Sequence, residues 1–266
     1  HLLEGMVMNG LCIPGVPIIG NVSSGGSGGA DLSDIDATTE ITDSRLLFEC
    51  LSPRAYYAAD GTIQFAAPNT WPLEYKDGVA IGRHEPEPMA TNLKIGSRAP
   101  TATLYQLTKT SNTALSPAGI DELIEFATAY TSGTPTLFSD VTLSESGPLT
   151  VSVIGRNGTA EMTVRKEGTT DSVGFTSDFG RSVLISNYDA TATRNRYSIY
   201  FPRTVGDVAY IWHIQLEAGE IATSPIITTD SAATRAAGLA FVPNPGLLAT
   251  AARIYYTDGT TYDIEF

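Results

Sequence analysis

The stretch VAYIWHIQL, residues Val208–Leu216, decides the fold class of this chain. Bulky Val, Tyr, Trp, Ile and Leu occupy every second position, and Ala, Ile, His and Gln lie between them. A period of two is that of a β-strand, in which successive side chains point to opposite faces. Because both faces carry large side chains, we predict an interior strand of a β-sandwich.

Elsewhere in the chain, pairs of the type Asp-Gly and Asn-Gly predict β-hairpins, because they tolerate the positive φ angles of a two-residue turn. Four such pairs are Asp60-Gly61, Asp77-Gly78, Asn157-Gly158 and Asp258-Gly259. A two-residue turn at the third pair would set Val153 opposite Met162 and Val151 opposite Val164, with all four on one face. The chain therefore reads as antiparallel and all-β.

The fourth pair, Asp258-Gly259, predicts a C-terminal hairpin with one apolar and aromatic face. A two-residue turn there places Tyr255 opposite Tyr262 and Arg253 opposite Ile264, and it adds Phe266 to the same face. An isolated hairpin is marginal in water, so this face should cover another surface. We predict Tyr255, Tyr262, Ile264 and Phe266 as a subunit interface. The alternative is that the hairpin folds back on its own sandwich.

One segment has the spacing of a helix instead. Ser116 can cap it and Pro117 can occupy its first position. Apolar residues follow at helical spacing, namely Ile120, Leu123, Ile124, Ala127 and Tyr130. This predicts a short peripheral helix in an otherwise β chain.

Composition and charge exclude several partner classes. The chain of 266 residues has a formal net charge of −13, with 16 scattered Lys and Arg, so we expect no nucleic-acid binding. The apolar stretch Gly10–Gly20 is interrupted by proline and glycine, so we expect no membrane insertion. Cys12 and Cys50 are read as free thiols of a protein made in a reducing cytoplasm.

The N-terminal region reads as an arm and a linker. Residues Asn21–Asp31 are rich in Gly and Ser and bury little, which is typical of a flexible linker. The apolar piece before it docks either on another chain or on its own domain. The predicted boundaries are 1–45 for arm and linker, 46–95 for a β-hairpin collar, 96–232 for the sandwich, and 233–266 for a C-terminal extended segment and hairpin.

The residues that catalysis would need do not form a recognisable pattern. His84 and His213 lie in no nucleophile motif, and no Cys or His spacing suits zinc. Some carboxylates could catalyse glycoside hydrolysis, for example Asp171, Asp178, Glu217 and Glu220. In so acidic a chain, candidates of this kind are expected by chance. We predict a non-enzymatic protein without catalytic residues, cofactor or metal site, although a structural Ca²⁺ held by oxygen ligands is left open.

Several segments resemble one protein family. Gln215–Thr229, closed by Thr234–Ala237, resembles the segment that ends a jelly-roll domain in many bacteriophage tail and tail-fibre proteins. Upstream, Arg54–Tyr57 with Asp60-Gly61, and then Glu87–Leu93, resemble elements that precede that domain. His213 departs from the pattern, in which Gly or Ala usually follows the aromatic residue. Glu217 and Arg235 are expected to be structural, bonded to backbone or to each other.

The resemblance implies a jelly-roll β-sandwich like those of carbohydrate-binding modules, with flanking β-hairpins and an N-terminal arm, in a homotrimeric tail appendage of the virion. It implies a receptor-binding protein that recognises the host surface, a polysaccharide or an outer-membrane receptor, and contacts other tail or baseplate proteins through the arm. A purely structural baseplate or fibre-adaptor protein is the alternative. Sugars are bound by aromatic faces and planar polar groups. The residues predicted for this role are Trp71, Tyr75, Asn187, Tyr188, Asp189, Arg194 and Arg196.

Overall fold

The computed structural model describes residues 10–12, 37–44, 46–98, 103–112, 123–129, 133–159, 161–201, 203–243, 251–255 and 261–265. The chain forms two compact units. We call residues 90–235 the central unit, and residues 1–89 with 236–266 the terminal unit.

All regular structure in the described residues is β. The strands are β1 Gly10–Cys12, β2 Leu47–Glu49, β3 Arg54–Tyr57, β4 Ile63–Ala66, β5 Leu73–Lys76, β6 Val79–Arg83, β7 Ala90–Asn92, β8 Thr103–Tyr105, β9 Leu107–Asn112, β10 Leu123–Thr128, β11 Thr136–Val141, β12 Gly147–Asn157, β13 Thr163–Lys166, β14 Ser172–Gly174, β15 Gly180–Tyr188, β16 Asn195–Tyr200, β17 Val208–Ala218, β18 Ala233–Arg235, β19 Leu239–Pro243, β20 Ala251–Tyr255 and β21 Thr261–Glu265.

The central unit is a sandwich of two antiparallel five-stranded sheets. The first sheet has the order β15-β12-β17-β10-β9 and the second the order β14-β13-β16-β11-β8. Strand pairs are nested: β10 pairs with β17, β11 with β16, β12 with β15, and β13 with β14, alternating between the sheets. This nesting defines a jelly roll, here with one added edge strand on each sheet. The predicted all-β, antiparallel jelly-roll class is confirmed.

The core lies between the two sheets and takes residues from nearly every strand. Ile124, Phe126, Val151, Val164 and Ile211 are among its fully or almost fully buried members. At about 1.5 to 3 kcal/mol for each large apolar side chain, burial of this set is the main favourable term in the stability of the unit.

The strand β17, predicted from its alternation, is interior as expected. It lies between β12 and β10, and its side chains from Ala209 to Glu217 are buried. The strict alternation is interrupted, however, by a β-bulge. Ile154 pairs with His213 and Gly155 with Ile211, which leaves Trp212 as the extra residue. The core-facing positions therefore change from odd to even numbers along the strand.

The predicted hairpin at Asn157-Gly158 is wrong. The chain crosses there from the first sheet to the second, and Val151 pairs with Leu184 and Leu216 instead of Val164. Asn157 stabilises the crossing, since its side chain donates to the Phe175 carbonyl at 2.7 Å and accepts the N–H of Met162 at 2.8 Å. The apolar residues on both sides of the crossing still meet in one core.

The predicted helix is also wrong where the structure describes it. Residues Leu123–Thr128 form strand β10, held by β9 on one side and β17 on the other. Ser116, Pro117, Ile120 and Tyr130 lie outside the described residues. Tertiary pairing overrides the local helical spacing of Leu123, Ile124 and Ala127 because it buries both apolar faces of the segment.

The terminal unit contains three of the predicted hairpins. Asp77 and Gly78 have φ of 52° and 77° and form the predicted two-residue turn between β5 and β6. At Asp60-Gly61 the loop between β3 and β4 is longer, running from residue 58 to 62.

Strands β20 and β21 pair as expected, but the predicted register is wrong by one residue. Tyr255 lies opposite Thr261, Ile254 opposite Tyr262, and Ala252 opposite Ile264. The two-residue turn assumed at Asp258-Gly259 and the predicted contact residue Phe266 lie outside the described residues. Elsewhere in the unit, β19 pairs with β1 and β2.

Candidate functional site

Trp71 and Tyr75, two of the predicted ligand-binding residues, lie in the terminal unit. Trp71 is 5% exposed, stacks on Phe48 with ring centroids 5.3 Å apart, and donates its Nε1–H to the His84 carbonyl at 2.7 Å. Tyr75 is half-buried in β5, opposite Ala80. Trp71 is therefore an interior packing residue, whereas the sequence predicted an exposed ring on a loop.

Asn187, Tyr188 and Asp189 follow one another at the end of β15 in the central unit. Tyr188 is 4% exposed, and its hydroxyl accepts the N–H of Leu143 at 2.6 Å. Asn187 and Asp189 are exposed. The Asp189 carboxylate accepts the hydroxyl and the N–H of Thr191 at 2.7 and 2.8 Å, and the hydroxyl bond above all holds the pKa of Asp189 below its usual value. Tyr188 anchors a loop to the sandwich and is not a surface aromatic.

Arg194 and Arg196 come together near the second sheet, each paired with a carboxylate. Arg194 lies 2.8 Å from Glu167. Arg196 binds Asp140 through two nitrogens at 2.7 Å each, and its guanidinium lies 3.6 Å above the Phe138 ring. The bidentate bond lowers the pKa of Asp140 and raises that of Arg196.

The second sheet has one face toward the core and one away from it. Inward residues on four of its strands are Leu104, Leu137, Val164 and Ile199. Because successive side chains point to opposite faces, the residue after each of them points outward. We call the resulting surface the outer face, and its members are Tyr105, Phe138, Arg165, Arg196 and Tyr200.

The outer face is aromatic and carries planar polar groups. Tyr105 and Tyr200 both lie opposite Thr136, so they are two strand spacings apart, about 9.6 Å. The Arg165 guanidinium stands 5.5 Å from the Tyr200 ring centroid. Tyr105 is 49% exposed, and among the described residues no cation stands over its ring. Tyr105 is therefore the open aromatic platform of this face.

Sequence reasoning found Arg196 but missed Tyr105, Phe138, Arg165 and Tyr200. The signal lay in the alternation of β16, where Arg196 and Tyr200 fall on the face opposite the core residue Ile199. The sequence-based prediction instead favoured loop residues, because loops are the usual place for binding residues.

The outward side of β17 is covered by the segment that follows it. Gln215 bonds the Thr223 carbonyl at 3.2 Å and the Ile226 N–H at 2.7 Å, and Glu217 accepts the Thr223 N–H at 3.1 Å. Asn92 accepts the Leu216 N–H at 3.1 Å and donates to the Ile226 carbonyl at 2.8 Å.

These buried contacts are made by the same segments that resemble tail proteins. Arg235 adds to them, since its guanidinium donates to the Ser224 hydroxyl at 2.5 Å. The structural role expected for Glu217 and Arg235 is confirmed: both bond the segment that covers β17 and are about 2% exposed.

The two histidines among the described residues, His213 and His84, have opposite electrostatic environments. His213 is fully buried, which lowers its pKa to about 3, and its Nε2 lies 3.0 Å from the Gln215 side-chain oxygen. His84, in the terminal unit, lies between Glu74 at 2.5 Å from Nδ1 and Glu87 at 3.2 Å from Nε2. Burial, the largest single influence, lowers the pKa of His84, but the bonds and charges of the two glutamates together raise it.

Arg54 connects His84 to the rest of the terminal unit. It is 1% exposed, lies 3.6 Å from the Glu87 carboxylate and donates to the Glu85 carbonyl at 3.0 Å. Its Nε–H donates to the sulfur of Cys50 at 3.1 Å, and Cys50 is a buried free thiol. Arg54, the first residue of the resemblance segment Arg54–Tyr57, thus forms another buried polar connection.

In the part of the chain that the structure describes, no three His, Cys, Asp or Glu side chains are grouped so as to hold a metal ion. Nor does any helix there have the length and apolar character that a membrane span requires.

No protein-family model and no curated protein matches the chain. Among solved structures it is similar to the GH26-CBM35 β-(1,4)-mannanase of Podospora anserina, at 12% identity and a TM-score of 0.34 over 52% of this chain and 29% of that one. A carbohydrate-binding module of Cellvibrio mixtus lichenase 5A, in complex with cellotriose, has 10% identity and a TM-score of 0.32 over 49% and 98%.

A bacteriophage tailspike is similar to the same degree. The enzymatically active domain of tailspike protein 4 from bacteriophage CBA120 has 14% identity and a TM-score of 0.32, over 48% of this chain and 18% of that one. The similarity to carbohydrate-binding modules and to a tailspike domain is structural and distant. TM-scores this low assign neither a family nor a ligand to the chain.

Proposed function

We propose that this chain is a structural protein of a phage tail, a fibre or receptor-binding component, and that it recognises a glycan of the host cell surface without catalysis. The outer face is the proposed contact surface. The observation that carries the proposal is the half-exposed ring of Tyr105 on the same sheet face as the planar groups of Arg165 and of the Arg196–Asp140 pair. A sugar presents C–H patches that stack on such a ring and hydroxyl rims that bond such groups.

The tail assignment is supported by the resemblance of Gln215–Thr229 and Glu87–Leu93 to tail-protein segments. The non-catalytic assignment is supported by the environments of the two histidines that the structure describes, because His213 is fully buried and His84 is held between two glutamates. A fully buried histidine and one bonded at both ring nitrogens are poorly suited to activate a nucleophile or a water molecule.

The test is binding of the intact protein to host cells and to a glycan array, with Tyr105→Ala as the probe. Tyr57→Ala is the matched control, since Tyr57 is 43% exposed but lies in the terminal unit. Loss of the Tyr105 ring should weaken glycan binding roughly tenfold, the scale of about 1.4 kcal/mol for an aromatic contact, and the control should bind like wild type. No reducing ends should be released from the bound polysaccharide.

A protein that binds neither host cells nor any glycan would refute recognition and favour the baseplate or fibre-adaptor alternative. Equal binding by both variants would move the contact surface away from Tyr105.

The proposal includes a homotrimer held in part by the C-terminal hairpin. Strands β20 and β21 form a two-stranded sheet, and among the described residues neither pairs with a third strand. Such a hairpin is marginal unless it covers a surface. Truncation after Leu248 should therefore dissociate the trimer in light scattering. A truncated protein that stays trimeric with an unchanged melting temperature would contradict this role of the hairpin.

A further inference from the structure

The arginines of the outer face differ in how their charge is compensated. Arg196 forms a bidentate pair with Asp140, and the neighbouring Arg194 pairs with Glu167. Arg165 is exposed, and it forms no ion pair with any described residue. Arg196 and Arg194 are thus neutralised within the protein, whereas Arg165 has no ion-pair partner in the part of the chain that the structure describes.

Arg165 is also held in place. It lies directly opposite Ser198 in β16, and its guanidinium stands 5.5 Å from the Tyr200 ring centroid. A cation above an aromatic ring is attracted by the negative ring face, which restricts the side chain. A group ordered before binding loses less conformational entropy when a ligand arrives.

The net charge of the whole chain determines how much a single uncompensated arginine matters for an anionic ligand. A net charge of −13 repels anions at long range, so an anionic ligand gains little from the overall field. Two carboxylates close to the outer face, Asp140 and Glu167, are bonded to Arg196 and Arg194. Arg165 therefore stands as a local positive group on a generally acidic protein, in the strand row next to the one that contains Tyr105 and Tyr200.

We infer that the glycan bound by the outer face is acidic, and that Arg165 binds a carboxylate of one of its sugars while Tyr105, three strand spacings or about 14 Å away, stacks on another sugar farther along the same glycan chain. This inference rests on the proposed function. The planar fork of a guanidinium matches a carboxylate with two parallel N–H···O bonds, which favours a carboxylated sugar over a neutral one. Arg165 is then the residue that determines specificity.

The experiment compares carboxylated glycans (polygalacturonate, alginate and polysialic acid), a sulfated glycan (dextran sulfate) and neutral ones (dextran and galactan), followed by calorimetry with the best carboxylated ligand and its methyl ester. Variants are Arg165→Gln and Arg165→Lys. Arg156→Gln is the matched control, because Arg156 also stands over a tyrosine, 4.6 Å from the Tyr210 centroid, but in the first sheet. Near-ultraviolet circular dichroism checks that each variant is folded.

The expected result is that wild type prefers the carboxylated glycans to the sulfated and neutral ones and binds the methyl ester about tenfold more weakly. Arg165→Gln should lose about tenfold in affinity for the acid, Arg165→Lys somewhat less, and Arg156→Gln less than twofold. Affinity for the acid should also fall as salt is added.

Equal affinity for acid and ester, or equal effects of Arg165→Gln and Arg156→Gln, would overturn the inference. Preference for dextran sulfate would overturn the carboxylate assignment. In each case binding that still depends on Tyr105 would leave the proposed function standing. Absence of binding to every glycan would overturn both.

Discussion

Raising the pH should loosen the terminal unit through a single side chain, His84. Each of its ring nitrogens faces a carboxylate oxygen, at 2.5 Å for Glu74 and 3.2 Å for Glu87. A carboxylate only accepts, so both nitrogens must carry a proton, which means the imidazolium form. The raised pKa of His84 agrees with this geometry.

The sign of the effect follows from linkage. The folded-state pKa lies above the ordinary value of 6.5, so the stabilisation is fully present below pH 6.5 and is lost as the pH rises through the raised folded pKa. The side chains of His84, Glu87 and Glu74 are 8%, 12% and 17% exposed, so solvent screens these bonds little. A hydrogen bond to a charged group contributes about 1.5 to 3 kcal/mol to stability, and deprotonation of His84 removes one of its two bonds to the glutamates.

The His84→Gln variant tests the magnitude. Glutamine can donate to one carboxylate at a time, so the variant should be about 2 to 3 kcal/mol less stable at pH 6. The difference should shrink toward pH 9, where wild type has lost its own charged bond. Urea unfolding from pH 5 to 9.5 measures this difference, and hydrogen exchange of the peptides covering 73–87 localises it. A gap between wild type and variant that is equal at pH 6 and pH 9 would refute the imidazolium assignment.

Three further predictions concern the central unit. His213 has its pKa lowered to about 3, so wild type should lose up to about 1.4 kcal/mol per pH unit below pH 6.5, and His213→Gln should lack this acid loss in urea unfolding. Gly155→Ala should cost about 1 to 3 kcal/mol of stability in the same assay, because the new Cβ meets the Tyr210 carbonyl. Gly147→Ala, in the same strand, is the control, because its new Cβ meets nothing. Equal effects of the two substitutions would contradict the close approach at the bulge. Asn92→Asp should cost about 1 to 3 kcal/mol, since it replaces the donor to the Ile226 carbonyl by an acceptor, and an unchanged unfolding midpoint would refute that role.

Local sequence patterns predicted those elements whose structure depends on neighbours in sequence. The alternation of Val208–Leu216 identified an interior strand, and Asp77-Gly78 identified a two-residue turn. Both features are decided within a few residues by side-chain direction and by φ angles that glycine and aspartate tolerate.

The elements that failed depend on distant partners. Asn157-Gly158 has the composition of a hairpin turn, but in a jelly roll β12 pairs with β15 and β17, both far along the chain. Segment Leu123–Thr128 has helical spacing, but strand β17 buries it as a strand. No local pattern contains these pairings, because they are selected by the burial of whole sheets.

The candidate site was predicted in part for a related reason. Arg196 was identified, but Trp71 and Tyr188 were predicted as ligand-binding residues, although both are buried and hydrogen-bonded. An aromatic residue with a polar tip looks the same in sequence whether its ring covers a core or a ligand. Tyr105 was missed because its exposure depends on its position on an edge strand of the second sheet, which only the topology reveals.

The tail-protein resemblance and the candidate site involve different residues, and this separation has a physical reason. Asn92, Gln215 and Glu217 bond backbone groups that would otherwise be buried without partners, so the fold itself requires residues of their chemistry. Such a motif reflects how the buried backbone groups of a sandwich are bonded, and it carries no information on what the sandwich binds. The outer face carries no comparable constraint, since Tyr105 and Arg165 are exposed and bond no buried group among the residues that the structure describes. Substitutions there can change the ligand at little cost in stability, so the identity of the proposed glycan must be sought in Tyr105 and Arg165 and not in the segments that resemble tail proteins.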